Sequence, residues 1–194
     1  MVGEIGGFVS APANKPLLIL DLDETLVYCA ERALKSPADF CFDGLFAYRR
    51  PFLTDFLNEV SRWFTLSVWS SASAPYVQTL VALLLADRAL EFIWSRDRCT
   101  QRFDADQKEH YWVKNLEKVK RRRYRLERVL IIDDSRTKVS SHYGNLLSVQ
   151  PFLGDPGDSD LRDIVPFFEW LRHSDNFRSV EKRRWRLFKR AGAR

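Results

Sequence analysis

The feature that most limits the fold is an alternation between short apolar runs and longer amphipathic stretches. Continuous apolar runs of strand length are typical of strands that are buried on both faces, as in a parallel sheet. The predicted strands are Leu17–Leu20, Phe64–Trp69, Phe92–Trp94, Arg128–Ile132 and Leu146–Val149. The predicted helices are Pro51–Trp63, Pro75–Leu90, Tyr111–Arg122 and Ser159–Leu171. This order predicts an α/β fold: a doubly wound, Rossmann-like, mainly parallel sheet with helices on both faces.

The segment from Cys29 to Tyr48 interrupts the alternation directly after the first strand. It is too irregular for a crossover helix, so we predict a small flap insertion beside the site. A chain of 194 residues suits one domain of ordinary size. We therefore expect a lead-in over 1–15, one domain over 16–178 that contains the flap at 29–48, and a basic tail over 179–194.

The net charge of +5 is concentrated at the carboxy-terminal end of the chain. From Glu181 to Arg194 there are seven basic residues and one acidic residue, whereas the rest of the chain carries 24 basic and 25 acidic residues. Because the body is close to neutral, nucleic-acid binding is expected only through the tail, if at all. The apolar residues Trp185, Leu187 and Phe188 could equally dock the tail against the domain.

The sequence gives no sign of membrane insertion or export. No apolar run reaches the length of a membrane span, and the first twenty residues lack a basic stretch followed by a sustained apolar segment. The cysteines, Cys29, Cys41 and Cys99, are odd in number and lack metal-site spacing. They fit a reducing compartment, so we expect a cytoplasmic protein with no membrane partner.

Polar residues follow the predicted strands at the edge where ligands collect in a parallel sheet. Asp21 and Asp23 follow the first strand, Ser70 follows the second, and Asp133 and Asp134 end a later one. A turn capped by aspartate would explain one acidic pair but not a second pair after another buried strand. Carboxylates gathered in this way need a cation, and hard oxygen ligands without a His cluster favour Mg²⁺ over Zn²⁺.

These residue types fit phosphoryl transfer. Asp21 can attack phosphorus to give an aspartyl-phosphate, and Asp23 is placed to protonate the leaving oxygen and later to activate water. Lys114, which we predict to lie on the helix before the Asp133 strand, would neutralise charge on the nucleophile and the phosphoryl oxygens. The Ser70 hydroxyl would donate to the phosphate.

The same segments resemble motifs of the haloacid dehalogenase superfamily. More narrowly, they resemble its carboxy-terminal-domain phosphatase branch, also called the NLI-interacting-factor-like family. The resemblance runs from about Leu17 to Leu171. The motifs that carry it are Asp21–Val27, Arg49–Leu53, Val68–Ala72, Tyr111–Leu116, Val129–Ser135 and Asp160–Phe168.

The resemblance implies a phosphatase with Asp21 as nucleophile and Asp23 as general acid/base. It assigns Ser70 and Lys114 to phosphate binding, together with Thr25, which would steady their loop by hydrogen bonding. It also implies Mg²⁺ as the cofactor and gives supporting roles to two further residues. The implied Mg²⁺ ligands are the Asp21 carboxylate, the Asp23 backbone carbonyl and the Asp134 side chain, and the supporting residues are Asp133 and Arg50.

Two other protein classes share part of this pattern. A receiver domain also uses an acidic pair, a phosphorylated Asp, a hydroxyl residue and a Lys. Its phosphorylated Asp ends a middle strand, where this chain has Ser70, and its Lys follows the last acidic position, whereas Lys114 precedes Asp133. A non-catalytic phospho-binding module on the same fold would lack the nucleophile or the acid/base. Because both are present, we expect an enzyme.

The substrate is the most open part of the prediction. The lack of an obvious second, capping domain favours a large substrate such as a phosphoserine or phosphothreonine protein segment. A small metabolite would call for a lid that excludes water. The alternatives are a small-metabolite phosphatase and, because of the basic tail, a phosphatase of nucleic-acid ends.

Overall fold

The computed structural model describes residues 15–106 and 108–188. The strands are β1 (Leu17–Leu20), β2 (Val27–Ala30), β3 (Phe40–Phe42), β4 (Leu45–Arg49), β5 (Thr65–Trp69), β6 (Leu90–Trp94), β7 (Thr100–Asp104), β8 (Glu109–Val113), β9 (Val129–Asp133) and β10 (Leu146–Ser148). The α-helices are α1 (Leu53–Trp63), α2 (Ala74–Leu84), α3 (Glu117–Lys120), α4 (Asp160–Asp163) and α5 (Val165–Leu171).

A five-stranded sheet in the order β10-β9-β1-β5-β6 forms the centre of the fold. Each neighbouring pair of strands is parallel. β1 lies in the middle, where Leu18 pairs in register with Leu66 on one side and with Leu130 on the other. The predicted strands are therefore present, and the mainly parallel α/β fold is confirmed.

Both faces of this sheet are covered, as the alternation of side chains in β1 shows. Leu18 and Leu20 pack in one core with residues of α1, α2 and α5, and Leu17 and Ile19 pack in a second core with Val119 of α3. All four β1 side chains are fully buried. Burial on both faces explains why the strand is a continuous apolar run rather than an alternating one.

The predicted flap is a small antiparallel sheet in the order β2-β4-β3, spanning Val27 to Arg49. It therefore extends slightly beyond the predicted 29–48. A two-residue connection, Asp43-Gly44, joins β3 to β4, and both residues have positive φ (47° and 76°). Positive φ at both central positions is what a tight hairpin turn requires, and the Asp-Gly pair supplies it.

The predicted helix over Tyr111–Arg122 is wrong in its first half. β8 pairs with β7 as an antiparallel hairpin, and helical structure is limited to α3. Aromatic and β-branched residues at Tyr111 to Val113 favour a strand, and their apolar spacing does not distinguish a strand from a helix over so short a stretch. Lys114 therefore follows a strand instead of lying on a helix.

Two other predicted helices have different bounds. α2 ends at Leu84, because Leu90, the predicted end of this helix, opens β6 and pairs with Leu66. The closing helix is divided at Ile164 into α4 and α5, with Pro166 in the first turn of α5. Proline fits a first turn because its missing N–H would have no partner within the helix there.

The segment after α5 packs against the domain. Trp185 is 1% exposed, and its Nε1 donates to the Ser148 carbonyl of β10 at 3.0 Å. Phe188 also packs against the main core, whereas Leu187 is exposed. Of the predicted lead-in and tail, residues 1–14 and 189–194 lie outside the described residues. Within the described parts of the chain, no helix is long and apolar enough to cross a membrane.

Candidate active site

Parallel pairing of β1 with β9 brings the two acidic pairs to one edge of the sheet. Asp21 follows β1 and its backbone N–H donates to the Ile132 carbonyl at 3.1 Å, while Asp133 ends β9. Carboxylate oxygens of Asp21, Asp133 and Asp134 all lie within 4.8 Å of one another. The structure therefore gathers the three aspartates into one cluster, as the strand ends predict.

A tight turn after β1 fixes the direction of the loop that contains Asp23. The Leu22 carbonyl accepts the backbone N–H of Leu26 at 2.8 Å, and Glu24 adopts a left-handed conformation with φ of 59°. The Thr25 side chain is fully buried within this turn. Its hydroxyl lies 3.5 Å from Asp21 Oδ2 and accepts the backbone N–H of Asp134 at 3.1 Å. Thr25 therefore ties the β1 loop to the β9 loop.

Lys114 brings a positively charged ammonium group into contact with the aspartate cluster. Its Nζ donates to Asp21 Oδ1 at 2.7 Å and to Asp133 Oδ2 at 2.6 Å, and its side chain is fully buried. Burial opposes its positive charge, but Asp133 and Asp21 outweigh that effect and hold the pKa of Lys114 above its ordinary value.

A second cation in the cluster, Lys138, was not predicted from the sequence. Its Nζ lies 3.6 Å from Asp21 Oδ2 and 3.6 Å from Asp134 Oδ1. Burial would lower the pKa of Lys138, but the charges of Asp21, Asp133 and Asp134 raise it overall. The signal that could have identified Lys138 is its spacing of four residues from Asp134, which places two side chains on one face of a helical turn.

The pKa values of the two buried aspartates that share Lys114 are shifted in opposite directions. Burial alone would raise the pKa of Asp21, but Lys114 and Lys138 outweigh it and hold the pKa below its usual value. Burial and the charge of Asp21 raise the pKa of Asp133 to about 7, against the opposing effect of Lys114. The two lysines together therefore favour the ionised form of Asp21.

Asp23 lies beside a tyrosine and a serine at the same edge. The Tyr76 hydroxyl donates to Asp23 Oδ1 at 2.6 Å, and the Ser70 hydroxyl lies 3.5 Å from Asp23 Oδ2. Burial raises the pKa of Asp23, although the hydrogen bond from Tyr76 opposes this and the charge of Asp21 adds to it. Tyr76 was also not predicted; the sequence signal for it is its place in the first turn of the helix that follows Ser70.

Arg50 lies behind the site and does not face it. It is 1% exposed, and its guanidinium donates to Asp158 at 2.9 and 2.8 Å, to Asp160 at 3.2 Å and to the Thr25 carbonyl at 3.1 Å. These contacts join the start of α1 to the β1 loop and to the loop before α4. Arg50 is thus placed to support the loops around the site.

The residues that are present fit the predicted Mg²⁺. Asp134 Oδ1 is buried and accepts no hydrogen bond from the described residues, which suits an oxygen atom that coordinates a cation. The gathered ligands are carboxylates alone. Mg²⁺ prefers such hard oxygen ligands, and the donor set lacks the His or Cys that favours Zn²⁺.

The parallel sheet with this aspartate and lysine cluster at its edge places the chain in the class of haloacid-dehalogenase-like phosphatases. Within that class, the family model described as NLI interacting factor-like phosphatase matches residues 16–178. The chain therefore belongs to this family, and the resemblance predicted from the motifs is confirmed.

Similar proteins are phosphatases by name. The chain is 31% identical over 176 residues to "CTD small phosphatase-like protein 1" of Caenorhabditis elegans, an alignment that covers 87% of this chain and 33% of the worm protein. It is 30% identical over 175 residues to human "CTD small phosphatase-like protein", which covers 86% of this chain and 60% of the human protein. The chain thus spans only part of the length of these relatives.

A solved structure shares the fold. The fission yeast RNA polymerase II CTD phosphatase Fcp1, bound to beryllium fluoride, superimposes with a TM-score of 0.55 at 16% identity. The match covers 71% of this chain and 42% of the Fcp1 chain.

Proposed function

We propose that this chain is a Mg²⁺-dependent phosphatase of phosphoserine or phosphothreonine segments in proteins, with Asp21 as its nucleophile. The observation that carries the proposal is that the surroundings of two carboxylates only two residues apart shift their pKa values in opposite directions. The pKa of Asp21 is lowered and that of Asp23 is raised. A nucleophile must be ionised and a general acid must be protonated, so the environments suit the two roles.

In the first step, one oxygen of the Asp21 carboxylate attacks the phosphorus atom of the substrate. A bond forms between that oxygen and phosphorus, and the ester bond between phosphorus and the serine or threonine oxygen breaks. Asp23 gives its proton to the departing oxygen, so the alcohol leaves neutral. Tyr76 holds the Asp23 carboxyl in place through its 2.6 Å hydrogen bond.

In the second step, water attacks phosphorus and the bond between phosphorus and Asp21 breaks. Asp23, now ionised, takes a proton from that water. Inorganic phosphate leaves, and both carboxylates return to their starting protonation. Lys114 and Ser70 would neutralise and bind the phosphoryl oxygens during both steps.

Mg²⁺ would be held by Asp21, Asp134 and the Asp23 carbonyl, with Asp133 in support, and it would supply positive charge to the phosphoryl oxygens. The chain's own contribution is to keep these carboxylates buried and oriented. Thr25 does so by linking Asp21 to the backbone of Asp134.

The phosphoprotein substrate is supported by the names of the relatives and by the open architecture. Among the described residues, the sheets added to the five-stranded sheet are the small flap and the β7–β8 hairpin, and neither is large enough to form a second domain above the site. Small metabolites and nucleic-acid ends are the alternatives that a substrate panel must include. The cytoplasmic location stays a prediction, to which the unpaired cysteines lend support.

The test compares variants of the full chain with Mg²⁺, on p-nitrophenyl phosphate and on a phosphoserine peptide. Asp21→Asn should lose activity on both substrates and should carry no acid-stable phosphate after rapid quenching. Asp23→Asn should lose about 10²–10⁴-fold on the peptide, whose alkoxide leaving group needs a proton. It should lose less in the first step on p-nitrophenyl phosphate, because nitrophenolate leaves without one.

The matched control is Asp55→Asn, an exposed aspartate on α1, which should keep full activity. Unchanged activity in Asp21→Asn would exclude the mechanism. Faster turnover of nucleotides or sugar phosphates than of any phosphopeptide would keep the mechanism but reject the phosphoprotein substrate.

A further inference from the structure

We propose that a cationic cavity beside the active site binds a second phosphate on the same phosphoprotein segment. The inference rests on the proposed function, since it supposes that a phosphopeptide occupies the active site. The cavity, called here the arginine cavity, has a volume of about 430 Å³ and is lined by Arg136, Arg178, Lys182 and Arg183 with Glu181. This volume lies within the range of about 300–1,000 Å³ that is typical of ligand sites.

The charge of the arginine cavity favours an anionic ligand. Four basic side chains line it, and Glu181 is the one acidic side chain among the lining residues. Glu181 is already engaged, because it binds the Arg183 guanidinium at 2.7 and 3.1 Å. The other three basic side chains therefore have no acidic partner among the lining residues, and Glu117, which does not line the cavity, is the carboxylate whose charge also acts on Arg178.

Two guanidinium groups are available for a ligand. The side chains of Arg136 and Arg178 make no hydrogen bond and no ion pair with any residue in the described part of the chain. Both residues are exposed. A guanidinium group presents several N–H donors in a plane and binds a phosphate with two parallel hydrogen bonds, so two free arginines at one cavity suit a phosphate dianion.

The walls of the cavity are firmly held. The Lys182 side chain is buried and donates to the carbonyls of Phe177 and Val180, the latter at 2.8 Å. Trp185 anchors the same segment to Ser148. On the opposite wall the backbone approaches closely, because a Cβ atom added at Gly144 would lie 3.3 Å from the Arg178 carbonyl. A cavity between anchored segments loses little entropy when it binds a ligand.

The cavity runs along β10, from Gly144 and Leu146 at the amino end of the strand to Ser148, which lies at the same end of the sheet as the aspartate cluster. Arg136 follows Asp134 by two residues, and Ser148, which also lines the cavity, pairs in register with Asp133. β10 is two strands away from β1, which corresponds to about 10 Å. An extended peptide rises about 3.3 Å per residue, so the second phosphate would lie about three to five residues from the one that is hydrolysed.

A protein segment fits the cavity better than a nucleic acid does. A nucleic acid would need a track of cations that follows successive phosphates. Here the two arginines whose side chains have no hydrogen-bond partner in the described part of the chain line one cavity, and the chain before Glu181 is nearly neutral overall. A peptide with one phosphate dianion in this cavity, separated from the scissile phosphate by uncharged backbone, matches this distribution of positive charge.

The test uses peptides with one phosphoserine or with two phosphoserines spaced three to five residues apart in either direction. With wild-type chain and Mg²⁺, one spacing should lower KM about tenfold relative to the singly phosphorylated peptide, while kcat stays the same. The double variant Arg136→Ala/Arg178→Ala should lose that difference. It should still turn over p-nitrophenyl phosphate and the singly phosphorylated peptide at wild-type rates.

The matched control is Arg102→Ala/Arg121→Ala, which removes two exposed arginines that do not line the cavity. It should keep the tenfold preference, which excludes a general effect of net charge. Equal KM for both peptides in the wild type would overturn the proposal, as would a preference that survives in Arg136→Ala/Arg178→Ala. Stronger inhibition by short single-stranded RNA than by the doubly phosphorylated peptide would also overturn it.

A binding measurement separates this proposal from the proposed function. Fluorescence anisotropy with the Asp21→Asn variant should show the same arginine-dependent preference without any turnover. If phosphopeptides are not hydrolysed by the wild type, the proposed function fails. If they are hydrolysed but the second phosphate brings no gain in binding, the cavity proposal alone fails.

Discussion

At the scale of single residues, two lysines from different segments neutralise Asp21. Lys114 contacts Oδ1 and is fully buried, whereas Lys138 lies near Oδ2 and is partly open to solvent, with 26% of its side chain exposed. Lys138 lies between Asp21 and Asp134, two of the proposed Mg²⁺ ligands. Lys138 and a metal ion would therefore compete for the same carboxylate oxygens.

We predict that Lys138→Met tightens Mg²⁺ binding about tenfold, because it removes a positive charge that lies about 4 Å from the ligands. The measurement is isothermal titration calorimetry with Mg²⁺ alone and the full chain. Lys138→Arg, which keeps the charge, is the control and should bind Mg²⁺ as the wild type does. Weaker Mg²⁺ binding by Lys138→Met would show that Lys138 supports the metal site instead of competing with it.

The sequence alone predicts those site residues that directly follow a strand. Asp21, Asp23, Ser70 and Asp133 follow apolar runs, so their meeting at one edge is a consequence of parallel pairing. Lys138 and Tyr76 could not be predicted in this way. Lys138 lies in a 3₁₀ segment, Thr137–Asn145, and Tyr76 lies in α2. Hydrophobic periodicity does not indicate that the side chain of either residue reaches the site.

At the scale of elements, one buried arginine links the loops around the site. Arg50 precedes α1, and its partners, Asp158 and Asp160, are more than one hundred positions away. The motif containing Arg50 is visible in the sequence, but these partners are not, because nothing local specifies such a distant pairing. The β7–β8 hairpin was missed for a related reason: a short aromatic stretch satisfies the helical and the strand period equally well.

We predict that Arg50→Met lowers the free energy of unfolding by about 3 kcal/mol, since it leaves the partly buried Asp158 carboxylate without its cation. Urea unfolding of the full chain measures the effect. The neighbouring residue Arg49, which is exposed and donates to the Leu83 carbonyl at 3.0 Å, supplies the control. Arg49→Met should cost less than about 1 kcal/mol, and an equal loss in both variants would contradict the role assigned to Arg50.

At the scale of the whole molecule, the segment after the family match completes both the core and the arginine cavity. The match ends at residue 178, yet Trp185 is buried and bonds to β10, which is the edge strand of the sheet. An unpaired strand edge invites pairing with other chains. Arg186 adds a second anchor by pairing with Asp160, the carboxylate that Arg50 also contacts. The sequence left docking and anion contact as alternatives for this segment, and the structure shows that its described part is docked.

We predict that Trp185→Ala destabilises the chain by about 3–5 kcal/mol, the cost typical of removing a large buried aromatic side chain. Thermal and urea unfolding measure the loss, and Leu187→Ala, which removes a side chain that is 72% exposed, should change stability by less than about 0.5 kcal/mol. Because Trp185 anchors the wall that contains Lys182 and Arg183, the milder Trp185→Phe variant should weaken the preference for doubly phosphorylated peptides while p-nitrophenyl phosphate turnover persists. A Trp185→Ala chain as stable as the wild type would show that this segment lies outside the cooperative fold.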